Sequence, residues 1–450
     1  MKLKTWIKSV LIISILSIQA HASVSAYFNH NKKSSYIDPY RQIHRPGDNL
    51  EGIILKEMDK AKTSIYVAVQ ELRLPTIALK LVEKKKQGLE VKVIIEHDYN
   101  FTSVDQREMP EGEHESTRLG ELNLLVDVNK NGRIEKSELE TRDAIYILKK
   151  NKVPLLDDKS DVSMGSGLMH HKFVVIDNKV TIVSSANFTT SCIHGDFGAP
   201  ESRGNANSMI VVNAKNFSDL FTDEFTQMWG NGKRGNFGLS KTYRGPRSVT
   251  VRGTKLTVQF SPTSRRFKWE ESVNGLIATA FEKANKSFKA ALFVFSDQRL
   301  SDVLQERSKK GVDVGVLIEP KFAYRDYSEL LDILGVEMLT QKCEAEPGNN
   351  PWKKASKNSG MSILPRGDVL HHKFAVMDSK SVIVGSQNWS DNANYVNDET
   401  LIVIEHATVA KQFDQEYERI KSTALLGVPP RLKNDIERIE KLCQGAGHSF

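Results

Sequence analysis

The chain repeats itself, and this duplication limits its fold more than any other feature. The stretch KAKTSI at 60–65 returns as KANKSF at 283–288, an offset of 223 positions. Gly88 in KKKQGLEVKVIIE returns at the same offset as Gly311 in RSKKGVDVGVLIE. Further on, HHKFVVIDNKVTIVSSANF at 170–188 returns as HHKFAVMDSKSVIVGSQNW at 371–389, now 201 positions later. The 450 residues therefore hold two homologous halves, and the difference between the offsets gives the first half 22 extra residues between Gly88 and His170.

Both halves read alike locally. Apolar β-rich runs (SIYVAV, VKVIIE, FVVID, SMIVVN) alternate with a helical pattern at 74–87; KAALFVF, VGVLIE, FAVMD and TLIVIE alternate with one at 297–310. Uninterrupted apolar strands between amphipathic helices predict α/β units whose sheets are covered on both faces. Helices over 214–230 and 406–424 close the halves. Domain 1 is expected over 45–230 and domain 2 over 256–425. The Gly-, Lys- and Arg-rich stretch 231–255, with Pro246, reads as the linker, and 426–450 as a tail.

Residues 1–22 read as an export signal rather than fold: Lys2, Lys4 and Lys8, an apolar run from Val10 to Ile18, and Ala20-His21-Ala22 at the cleavage position. A secreted or periplasmic location follows. The formal charge of +7 drops to +4 without those three lysines, which weakens the case for a generic polyanion binder. Three cysteines exclude a disulfide scaffold and a zinc site; Cys343 and Cys443 could pair, leaving Cys192 free.

The chemistry lies in the repeated segment. Each half has His-x-Lys, four residues, then Asp: His170, Lys172 and Asp177, and His371, Lys373 and Asp378. Each continues to Ser-x-Asn, as Ser185 and Asn187, and Ser386 and Asn388. On a strand, period two puts His and Lys on one face. Two such halves facing each other would gather two imidazoles, two ammonium groups and two amides around one pocket. That set suits a phosphodiester: one neutral His attacks phosphorus, the other protonates the leaving oxygen, and Lys and Asn hold the phosphoryl oxygens. No metal is needed. A lone His-x-Lys is ordinarily surface decoration; two matched sets are not.

With its duplicated HxKxxxxDxxxxxxGSxN pattern, the chain resembles the phospholipase D superfamily over residues 45–425. The resemblance implies two α/β sandwich domains sharing one active site at their interface. It makes His170 and His371 the nucleophile and general acid, with His170 favoured as nucleophile. Lys172, Lys373, Asn187 and Asn388 would bind phosphate, and Ser185 and Ser386 would support them. Asp177 and Asp378 would mainly organise structure. Ser184 stands where the family has Gly. Glu399 matches the carboxylate that orients a catalytic His in the family, and Asn207 replaces it in the first half, so His371 is expected to be the more basic imidazole. His171 and His372, between His and Lys, should face the opposite side as packed structural residues.

Within the insertion, Asp127-Val128-Asn129-Lys130-Asn131-Gly132-Arg133-Ile134-Glu135-Lys136-Ser137-Glu138 fits an EF-hand calcium loop. Asp127, Asn129 and Asn131 supply side-chain oxygens, Arg133 a carbonyl, Glu135 the ninth position and Glu138 the bidentate twelfth. Helical patterns over 113–126 and 137–150 flank it. A structural or regulatory Ca2+ of modest affinity is expected.

Phospholipid head groups are the favoured substrate, with possible peripheral membrane contact and a monomeric chain. A nuclease of the same mechanism is the alternative, for which Arg265, Arg266 and Lys268 could supply phosphate contacts. A catalytically silent calcium-dependent binding module is the third reading; two intact His-Lys-Asn sets argue against it.

Overall fold

The two motif strands occupy equivalent places in two sheets. In the computed structural model, which describes residues 23–105, 113–159, 166–340 and 342–445, Lys172–Ile176 is central in a seven-stranded sheet. Its order is Ser23–Phe28, Ser208–Asn213, Val180–Ser184, Lys172–Ile176, Ser64–Val69, Glu90–Ile95, Leu155–Asp157. Lys373–Met377 is central in a nine-stranded sheet running Arg247–Val251, Thr254–Phe260, Thr400–Glu405, Ser381–Gly385, Lys373–Met377, Ser287–Leu292, Asp313–Ile318, Gly360–Met361, Leu425–Leu426. Ser64–Val69 and Glu90–Ile95 are parallel, as are Ser287–Leu292 and Asp313–Ile318. Their crossovers are the helices Pro75–Lys86 and Gln298–Lys309. The expected α/β architecture is present twice.

Alternation along the motif strands divides their residues between two cores. Phe173 and Val175, with Phe374 and Val376, face inward, where helices Lys215–Trp229 and Ala407–Lys421 lie with Phe221, Phe225, Phe413 and Tyr417 in one continuous cluster. The outer faces bury Val174 and Ile176, or Ala375 and Met377, in separate cores. Each buried Phe stabilises by roughly 1.5–3 kcal/mol. Because the inner cluster draws on both halves, they are fixed against each other.

Two elements extend past the expected boundaries. Ser23–Phe28 pairs with Ser208–Asn213, in the place that Thr254–Phe260 takes beside Thr400–Glu405. An edge strand needs only alternation, so the two copies share no residue pattern that would expose the match. Phe28 crosses to stack edge-on against Phe413 at 4.9 Å. The stretch 231–255 likewise includes the strand Arg247–Val251, and the side chain of Lys241 within it is buried. Residues 1–22, read as an export signal, lie outside the described residues. Among the described residues, no helix is long and apolar enough to cross a membrane.

The insertion folds as Glu113–Val126, Lys136–Arg142 and Ala144–Lys150. The single helix expected over 137–150 is broken at Asp143, whose carboxylate accepts from Tyr146 N at 2.9 Å and from Ser103 N at 2.6 Å. Cys343 and Cys443 are bonded, with Cα atoms 5.5 Å apart, and tie the helix Pro430–Gly445 to the second half; Cys192 is free and buried.

Candidate active site

At the centre of the molecule the two halves exchange main-chain hydrogen bonds. Met169 pairs with Asp398 and Leu370 with Ala206 in short parallel bridges. His170 N donates to Asp398 O at 2.9 Å, and His371 N donates to Ala206 O at 3.0 Å. Each motif histidine is therefore pinned by the strand that leads into the other half's Ser208–Asn213 or Thr400–Glu405.

The residue after each pinning position turns its side chain onto the imidazole. Glu399 Oε2 lies 2.7 Å from His170 Nδ1, and Asn207 Oδ1 lies 3.1 Å from His371 Nδ1. This reverses the sequence expectation. Glu399 serves the histidine of the first half, and His371, faced by a neutral amide, lacks the carboxylate that would make it the more basic ring. Duplication makes both pairings equally readable from sequence; the exchanged bridges select the crossed one.

These partners are held by the motif serines. Ser185 Oγ donates to Asn207 Oδ1 at 2.8 Å, while Asn207 Nδ2 donates to Cys192 O and Asn205 O, each at 3.0 Å. The amide orientation is thereby fixed with Oδ1 toward His371, whose Nδ1 must carry the proton. The Ser386 hydroxyl bonds Glu399 and accepts from Thr400 N at 2.9 Å. Gly385 before it has φ +149°, and a Cβ there would meet Thr400 O at 2.0 Å. Ser184 at the matching place fits, and its hydroxyl donates to Ser208 O at 3.0 Å.

Lys172 and Lys373 follow the histidines onto the same face. Lys172 Nζ donates to His170 O at 2.8 Å and to Gln70 Oε1 at 3.2 Å; Lys373 Nζ donates to His371 O at 2.9 Å. Asn187 Nδ2 also donates to Gln70 Oε1 at 3.2 Å. Gln70 was not identifiable from the motif; its only trace in the sequence is that it aligns with Phe293 at the 223-residue offset. Both lysines are buried, and among the described residues neither has an ion-pair partner. Burial pushes Lys172 down to about 7 and Lys373 well below its ordinary range, the Lys172 charge adding to the latter. Burial and the two ammonium groups push both catalytic-candidate imidazoles well down, and burial pushes Glu399 up to about 7. Two buried lysines beside two imidazoles make a site whose chemistry suits an anion.

Other predicted residues fall elsewhere. Asp177 and Asp378, included above among the site residues, lie just past the far ends of the motif strands. Asp177 accepts from the backbone N–H groups of Lys62, Thr63 and Ser64, and Asp378 from those of Asn285, Lys286 and Ser287. They bind loops, not the pocket, because four strand residues lie between them and Lys172 or Lys373. His171 and His372 face the core as expected: His171 contacts Thr400 Oγ1 at 2.8 Å and Glu224 at 3.1 Å, and His372 contacts Glu416 at 2.9 Å. His171, Glu224 and Asp398 bring ligand atoms within 4.8 Å of one another. Lys241 Nζ, bonded to Glu224 and 2.6 Å from Asp398, and Arg244, paired with Glu224, already balance the two carboxylates of that cluster. Trp389 and Phe188 are core; Arg265 pairs with Asp391 and lies over Tyr395 at 4.1 Å.

In the inserted loop, Asp127 Oδ2 accepts from Gly132 N at 2.9 Å, Asn129 Oδ1 from Asn131 N at 3.0 Å and Asn131 Oδ1 from Arg133 N at 2.8 Å. Gly132 has φ +75°, and Glu138 folds back to accept from Val128 N at 2.8 Å and Glu135 N at 3.0 Å. The side-chain oxygens of positions 1, 3, 5 and 12 thus lie around one turn, an all-oxygen donor set that fits a hard divalent cation.

The family model described as "Cardiolipin synthase, PLD-like domain" matches residues 54–229 and 277–421. The "Mitochondrial cardiolipin hydrolase" of Mus musculus is 27% identical over 153 residues, covering 34% of this chain and 58% of that protein. The "Phospholipase D" of Rickettsia prowazekii (strain Madrid E) is 24% identical over 148 residues, covering 33% and 62%. This chain thus spans less than two-thirds of either. The crystal structure of phosphatidylserine synthase from Haemophilus influenzae Rd KW20 superposes with a TM-score of 0.55 at 13% identity, covering 88% of this chain and 90% of that one, and so shares the fold. With the family model matched in both halves and both motif sets meeting in one pocket, the chain belongs to the phospholipase D superfamily.

Proposed function

We propose that the protein is an exported phosphodiesterase that hydrolyses phospholipid head-group phosphodiesters through a phosphohistidine on His170. The observation that carries this reading is the pair of buried ammonium groups, without an ion-pair partner among the described residues, beside two imidazoles whose ring partners differ, one a carboxylate and one an amide. The lipid preference is supported by the lipids that the family and the relatives above are named for. Export is supported by the signal-like residues 1–22 and by the Cys343–Cys443 disulfide.

In the first step the Nδ1–H of His170 is held by Glu399, leaving Nε2 to attack phosphorus; the P–N bond forms as the bond to the leaving oxygen breaks. His371, charged once the phosphate anion is beside it, gives its Nε2 proton to that oxygen. The amide of Asn207 stabilises its imidazolium less than a carboxylate would, so the proton leaves more readily. Lys172, Lys373, Asn187 and Asn388 hold the phosphoryl oxygens. In the second step neutral His371 takes a proton from water, the water oxygen bonds phosphorus, and the P–N bond to His170 breaks. Ca2+ on the inserted loop, held by Asp127, Asn129, Asn131, the Arg133 carbonyl, Glu135 and Glu138, is part of the same proposal as a structural ion; when bound it would supply a fixed charge about which the two flanking helices close.

Purified protein incubated with phosphatidylcholine vesicles and with plasmid DNA is expected to release choline and leave the DNA intact, and His170→Ala or His371→Ala should abolish turnover. Cleaved DNA with intact lipid would replace the lipid reading with a nuclease. Because Lys172 is charged below about pH 7 and neutral above it, kcat/KM should fall roughly tenfold per unit as pH rises past about 7; a flat profile to pH 9 contradicts a working role for its charge. Calcium should raise the melting temperature of the wild type and not of Asp127→Ala plus Glu138→Gln, with an equal rise in both speaking against the loop as the site.

A further inference from the structure

The duplication invites a comparison of the two half-sites position by position, and at one position they differ in kind. Gln70 and Phe293 occupy the same place in the fold. Gln70 N donates to His171 O at 3.0 Å, and Phe293 N donates to His372 O at 2.9 Å. The Gln70 backbone is held on its other side too, since Gln70 O accepts from Glu96 N at 3.2 Å. Its neighbour Glu71 is clamped by Arg118 of the inserted helix at 2.5 Å and by Arg73 at 3.3 Å. With the backbone so fixed, the buried Gln70 side chain reaches one place, where Oε1 accepts from Lys172 Nζ and from Asn187 Nδ2, both at 3.2 Å.

Among the described residues the second half has no such acceptor. The Phe293 ring lies 4.8 Å from Lys373 Nζ, 4.9 Å from the His371 ring and 4.8 Å from Phe322. Among the described residues Lys373 Nζ bonds one acceptor, the His371 carbonyl; Asn187 Oδ1 and Asn388 Oδ1 are alike buried without a partner, so the halves differ in what the lysine and amide donors meet.

We propose that Gln70 is a positioning residue that aims the first half's two phosphate donors at a common point, so that the half-sites divide the work. This rests on the phosphodiesterase reading above. One carbonyl oxygen between an ammonium and an amide fixes the directions in which their remaining N–H groups point, which is what preorganised oxyanion binding requires. The first half is then the rigid phosphoryl cradle. The second half presents the acid, His371, against the aromatic wall of Phe293 and Phe322, on the side where the leaving group departs.

The test is a pair of substitutions read by calorimetric binding of inorganic phosphate and by the pH profile of hydrolysis. Gln70→Met keeps the length of the side chain and removes the acceptor; it should weaken phosphate roughly tenfold or more, lower kcat more than it raises KM, and move the basic limb of kcat/KM to lower pH. Gln70→Glu keeps the acceptor and adds a charge beside Lys172; it should move that limb to higher pH. A merely structural role would move neither limb. Wild-type phosphate affinity and limb position in Gln70→Met, with the melting temperature unchanged, would overturn the inference. Failure of the wild type itself to bind phosphate would overturn the reading of the pocket and this inference with it.

Discussion

Everything at the site depends on the exchange of main-chain hydrogen bonds between the halves around His170 and His371. Those bonds fix the two backbones to within hydrogen-bond tolerance, and from that register each half presents the ring partner for the other's histidine. Neither half contains a complete site. A gene duplication that kept two identical half-sites would have two equivalent histidines; here Glu399 on one side and Asn207 on the other make them unequal. The inequality suits the double displacement proposed above, in which one ring attacks phosphorus as a neutral nucleophile while the other carries a proton.

The second constraint is electrostatic. The fold buries Lys172 and Lys373 with no carboxylate bonded to either among the described residues, and takes Glu399 below the surface to serve His170. Burying charges in this way is costly unless something neutralises them. The continuous core between the sheets, with Phe173 and Phe374 as immediate neighbours of the two lysines in sequence, supplies the stability against which that cost is set. A phosphodiester bound beside the two lysines would offset the cost of burying them.

Much of this was legible in the sequence, for identifiable reasons. The motif strands are short, strongly apolar and exactly duplicated in spacing, so their placement, the facing of His and Lys, and the inward packing of His171 and His372 follow from period two. Which histidine Glu399 serves does not follow, because that is decided by pairing between segments some 229 residues apart. Gln70 was invisible for a related reason: its role comes from strand order, which sets Ser64–Val69 beside Lys172–Ile176, not from any spacing within the motif. Asp143, read as helical, interrupts its helix because its carboxylate also caps the next turn. Lys241, read as linker, is drawn into the core by Glu224 and Asp398, charges whose placement only the folded chain shows.

The central claim is that the crossed partner of His170 makes it the nucleophile. It is tested most directly by stopping turnover in acid-free conditions, digesting the protein and locating the phosphoryl group by mass spectrometry. The account predicts modification on His170, retained when His371→Ala blocks the second step with an activated substrate that needs no acid. Modification on His371 instead, with His170 unlabelled, would contradict it.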